Sequence, residues 1–95
     1  MLPVSLLAQS TLNGVVVDSK SNQPLPGVNV IVEGAQQSAV TDLDGKFQLS
    51  KLKKNDVISF SFIGFTDQKV VYNNQKTMEV KLQEAENQLQ ELLFK

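Results

Sequence analysis

Ninety-five residues suffice for one domain and not two. The net charge is −1, the nine cations are all lysines, and there is one tyrosine and no tryptophan, which argues against nucleic-acid binding: the field, the guanidinium forks and the stacking platforms are all missing. Histidine and cysteine are absent, which excludes Ser-His and Cys-His nucleophiles, disulfides, and the usual ligands of zinc, haem and iron–sulfur groups. No cofactor is expected.

Residues 1–9, Met1-Leu2-Pro3-Val4-Ser5-Leu6-Leu7-Ala8-Gln9, are apolar and end in small or polar residues. They read as the end of a secretory signal peptide cleaved after Ala8, or else as an apolar N-terminal arm. Leu12 to Asp18 reads as a strand, because its centre, Val15-Val16-Val17, is β-branched. A polar turn follows, and Pro24-Leu25-Pro26-Gly27 fixes an extended segment, since each proline locks its own φ and biases its predecessor away from helix. Val28 to Glu33 alternates, with Val28, Val30 and Val32 on one face. Ser38 to Thr41 is a short strand. Asp42-Leu43-Asp44-Gly45 then predicts a hairpin into Lys46-Phe47-Gln48-Leu49, since glycine accepts positive φ.

Lys51 to Asp56 is a lysine-rich loop, and Val57 to Ile63 is the most β-like stretch, with Ile58, Phe60 and Phe62 on one face. Gly64 permits a change of direction. Phe65 to Tyr72 and Thr77 to Leu82 complete the strands, at a spacing that predicts a sandwich or small barrel. The predicted core is Val15, Val17, Val28, Val30, Val32, Phe47, Leu49, Ile58, Phe60, Phe62, Val70, Met78, Val80 and Leu82. Residues 83–95 are rich in helix formers, and Leu89, Leu92 and Leu93 fit helical spacing. This tail reads either as a short helix or as a polar linker followed by a hydrophobic anchor.

Four pieces occur in order: Gly14-Val15-Val16-Val17-Asp18, Pro24-Leu25-Pro26-Gly27-Val28-Asn29-Val30, Val40-Thr41-Asp42-Leu43-Asp44-Gly45-Lys46-Phe47-Gln48-Leu49 and Ile58-Ser59-Phe60-Ser61-Phe62-Ile63-Gly64-Phe65. Together they resemble the carboxypeptidase-regulatory-like domain, as found at the N-terminus of SusC/RagA-type TonB-dependent outer-membrane receptors. Phe65 stands where that family usually has tyrosine. The resemblance covers Ser10 to about Leu82 and implies an all-β, seven-stranded antiparallel transthyretin-like (prealbumin-like) β-sandwich. It further implies a periplasmic accessory role beside the plug and barrel of a nutrient receptor. Leu89-Gln90-Glu91-Leu92-Leu93 resembles the junction that leads into the plug, with leucines in place of valines. On that resemblance Leu89, Glu91, Leu92, Leu93 and Phe94 are the candidate partner-binding residues, and the plug or TonB is the expected partner of a monomeric domain.

Weaker motifs have plainer readings. Asp42-x-Asp44-Gly45 looks like the opening of a calcium loop but lacks the third ligand and the later glutamate, so it reads as an Asp-capped turn. Lys51, Lys53 and Lys54 read as a solvated turn. Glu84, Glu86 and Glu91 have no expected cleft to shift their pKa values, so they are not read as an acid/base pair. Two other classes compete with the receptor reading: a structural or adhesive module of another surface protein, and a regulatory domain attached to a peptidase.

Overall fold

The computed structural model of the chain describes residues 11–85. The strands are β1 (Leu12–Asp18), β2 (Asn29–Val32), β3 (Gln37–Val40), β4 (Lys46–Leu49), β5 (Val57–Ser61), β6 (Gln68–Val71) and β7 (Thr77–Leu82). β1, β4 and β7 have the bounds expected from sequence. The expected runs ending at Ile63 and beginning at Phe65 are longer than β5 and β6, because the Phe62-to-Phe65 turn takes up their adjoining ends.

The strands form two sheets, one ordered β4-β1-β7 and the other β3-β2-β5-β6. Each strand runs opposite to the one before it, so odd-numbered strands share a direction. β1 and β7 are both odd and adjacent, and they pair parallel, from Asn13 opposite Thr77 to Asp18 opposite Leu82. A wholly antiparallel sandwich is therefore corrected at this one pairing; every other strand pair is antiparallel. The Asp42–Gly45 turn forms, but it does not make a hairpin. β3 pairs with β2 and β4 pairs with β1, so the turn carries the chain from one sheet to the other.

The core lies between the sheets. Phe60 from one sheet meets Phe47 from the other edge to face, with ring centroids 5.4 Å apart. Phe47 lies directly over Gly14, its cross-strand partner, where a Cβ would come within 2.3 Å of the ring. Glycine at position 14 thus makes room for an aromatic bridge between layers. Leu12 and Gly14 set the inward phase of β1, so Val16 is fully buried and Val15, expected in the core, is only half-buried. A run of three valines carries no phase of its own. Val17 is buried on the opposite face, beside its bridge to Pro24. Phe62, Val70 and Met78 pack at the margin of the core rather than within it, while Leu12, Leu52 and Tyr72 join it.

Candidate docking surface

The expected partner-binding residues Leu89, Glu91, Leu92, Leu93 and Phe94 lie outside the described residues. Beyond β7 the chain stays extended. Thr66 N–H donates to Gln83 O at 2.8 Å, Ala85 N–H donates to Gly64 O at 2.9 Å, and Glu84 bridges Phe65. The start of the tail is thus strand-like, not helical, and it is laid against the Phe62-to-Phe65 turn. In that turn Phe65 N–H donates to Phe62 O at 3.0 Å, and Gly64 takes φ +85°, which a side chain would resist. The Phe62 and Phe65 rings stack at a tilt, 5.5 Å between centroids, and both are half-buried. Ile63 at the tip is 90% exposed.

The strand directions place Thr11 and Ala85 at opposite ends of the sandwich. The N-terminal pole carries the exposed residues Lys51, Lys53, Lys54, Asn73, Asn74 and Lys76. This agrees with the solvated reading of the lysine loop. The C-terminal pole carries the Pro24–Gly27 segment, the Asp42–Gly45 turn with exposed Leu43, and the Ile63 turn.

The two flanks, where the sheets meet side by side, also differ. On the β3/β4 flank, Asp42 Oδ1 accepts from the N–H groups of Asp44 and Lys46, both at 2.9 Å, and Asp42 N–H donates to Lys46 O at 3.0 Å. Further along, Gln37 Nε2 donates to Ser50 O at 2.7 Å and its Oε1 accepts from Ser50 N–H at 2.8 Å. Thr41, buried at the end of β3, accepts from Val28 N–H at 2.9 Å and donates to Leu25 O at 2.6 Å. Sequence reasoning placed Thr41 in a strand without seeing this role; the nearby Pro-Leu-Pro-Gly segment was the available clue.

On the other flank, Asn13 N–H donates to Lys76 O and Ser19 N–H donates to Leu82 O. Peptide groups alternate between the two edges of a strand, so Thr77, Glu79 and Lys81 turn their N–H and C=O groups away from β1. Among the described residues β7 pairs only with β1, which leaves this short edge free for an added strand.

Two further features complete the surface. The outer face of the four-stranded sheet exposes Ile31, Val40 and Val71 among Ser38, Ser59 and Ser61, with one ion pair, Lys69–Glu33, at 3.0 Å. An open depression of about 430 Å³ is lined by Asn13, Gly14, Val15, Lys46, Thr77 and Met78. Its only charged side chain is that of Lys46, so no acid–base pair is assembled there. The Asp42 carboxylate is already engaged by backbone amides, and among the described residues no group of three carboxylates converges on a cation site.

The model of the CarboxypepD_reg-like domain matches residues 12–94. The chain belongs to that family. It is 31% identical over 85 residues to TonB-dependent receptor P3 of Formosa agariphila, covering 90% of this chain and 8% of that protein. It is 44% identical over 62 residues to TonB-dependent receptor SusC of Bacteroides thetaiotaomicron, covering 65% of this chain and 6% of that protein. The chain therefore spans less than a tenth of the length of these relatives. The fold is shared more widely. The shaft pilin SpaA of Lactobacillus rhamnosus GG superposes with a TM-score of 0.55 at 10% identity, over 82% of this chain and 47% of the pilin. A DUF3823 family protein of Parabacteroides merdae superposes at 0.54 with 18% identity, over 81% of this chain and 46% of that one. These structures share the sandwich architecture.

Proposed function

We propose that this chain is a non-catalytic accessory domain of a TonB-dependent outer-membrane receptor for nutrient uptake, facing the periplasm and acting through protein–protein contact. The observation that carries this reading is the kinship with TonB-dependent receptors over nearly the whole chain, although the chain amounts to less than a tenth of each. A module of that kind contributes positioning or docking to a much larger machine. The surface agrees: the described residues offer a free strand edge and an apolar turn beside Gln83–Ala85. In this reading Leu89, Glu91, Leu92, Leu93 and Phe94 engage the plug of the parent receptor or TonB.

Binding of the full chain to the isolated plug and to the periplasmic part of TonB tests the proposal. Binding to one of them that is lost when Leu89–Lys95 is deleted is the expected result. Binding that survives the deletion would move the contact to the sandwich, and substrate turnover by the purified chain would overturn the non-catalytic reading. The coding sequence beyond Lys95 gives a second check: a plug and barrel are expected there, whereas repeated sandwich modules or a peptidase would contradict the receptor assignment.

A further inference from the structure

We infer that β7 is a dimerisation edge: it pairs antiparallel with β7 of a second copy and joins the two three-stranded sheets into one continuous sheet. The pairing does not depend on the receptor reading. Three observations carry it. First, the edge is open over a short, defined length. Thr77, Glu79 and Lys81 turn their N–H and C=O groups away from β1. Gly64–Thr66 covers the edge only from Gln83 onward, through the bonds from Thr66 N–H to Gln83 O and from Ala85 N–H to Gly64 O. An added strand therefore has Met78–Leu82 to pair with.

Second, the edge is complementary to itself. A residue with outward peptide groups must meet another of the same kind, so odd positions pair with odd ones. With Val80 on the twofold axis, Glu79 of each copy faces Lys81 of the other. Both contacts are hydrogen-bonded pairs with opposite charges side by side on the outer face. The smallest slide that keeps the peptide groups matched sets Glu79 against Glu79 in one direction. In the other it sets Lys81 against Lys81 and drives the strand into Gly64–Thr66. One register is left. Glu79 and Lys81 are exposed, and among the described residues neither belongs to an ion pair. Third, the flank holds apolar groups for a second copy to cover. Met78 and Val70 are half-buried at the margin of the core, and in this register Met78 stands opposite the second copy's Leu82. β6, the other outermost strand of this flank, offers no such match: its only charge, Lys69, is engaged by Glu33. The charges that keep mismatched edges off β7 thus admit a second β7, and the closed pair leaves neither edge exposed.

Sedimentation equilibrium on the full chain across a concentration series tests the pairing. A monomer–dimer equilibrium is expected. Glu79→Lys alone and Lys81→Glu alone each set like charges opposite one another, and each should raise the dimer dissociation constant about tenfold. An equimolar mixture of the two variants should recover the dimer, because opposite charges then face each other across it. The double variant, Glu79→Lys with Lys81→Glu, should recover it too. Both positions are exposed, so unchanged melting temperatures at low concentration will separate a lost dimer from a lost fold. Amide hydrogen exchange gives an independent reading: protection of the Glu79 and Lys81 N–H groups should rise with concentration, while that of Lys69 stays the same. A monomer at every concentration, as the family resemblance implies, would overturn the pairing. So would a dimer indifferent to both charge variants, or protection that rises at Lys69 instead. Protection of Glu79 and Lys81 that comes only with added plug or TonB would also overturn it, by making that partner the occupant of the edge.

Discussion

The two flanks of the sandwich solve one problem in different ways. On the β3/β4 flank the edge peptide groups are covered from within: Asp42 serves both the N–H and the C=O of Lys46, and Gln37 serves both those of Ser50. On the β7 flank, Thr77, Glu79 and Lys81 present theirs outward, and the exposed Glu79 and Lys81 side chains are the guard against unwanted pairing. The connections are of equal length: five residues, Thr41–Gly45, join β3 to β4 and five, Tyr72–Lys76, join β6 to β7. The difference lies in the side chains, since Asp42 and Gln37 reach the backbone of Lys46 and Ser50, whereas beyond β7 it is backbone alone, Gln83–Ala85, that meets Gly64–Thr66. One flank is finished by the chain itself and the other is left available.

Substitutions can break this comparison. The largest effect is expected below both flanks: Phe60→Ala removes the ring that meets Phe47, and denaturant unfolding should show a loss of about 3–5 kcal/mol. On the closed flank, Thr41→Val leaves the Val28 N–H and the Leu25 C=O without their partner, for about 1–3 kcal/mol by the same measurement. Asp42→Ala and Gln37→Ala should each cost roughly 1 kcal/mol, and Asp42→Asn, which keeps an acceptor, less. The smallest effect belongs to the other side of the molecule. Lys69→Ala, which removes an exposed ion pair with Glu33, should change stability by no more than about 0–1 kcal/mol, and less still at high salt. Equal costs on the two sides would erase the distinction.

Much of this fold was legible in the sequence. The alternation of Val28, Val30 and Val32, the β-branched centre of β1 and the Phe47–Leu49 pair gave strands and inward faces, because burial on one side imposes a period of two. What escaped was set at longer range. The phase of Val15-Val16-Val17 depends on which residues of β1 face Leu49 and Phe47. The Asp-Gly turn is encoded locally, but whether its strands pair with each other or with β2 and β1 depends on the whole sheet order. Thr41 looked like an ordinary strand residue because both its partners lie more than ten positions away. The candidate site was legible only as a run of leucines; that the chain is bonded onto the Ile63 turn before it reaches them comes from backbone pairing that no local pattern encodes.

Calorimetry on the full chain and on a variant lacking Leu89–Lys95 tests most directly the division between a self-sufficient sandwich and a segment kept for contact. Nearly identical melting temperatures are the expected result. A large drop in the shortened variant would make those residues part of the core and contradict the division.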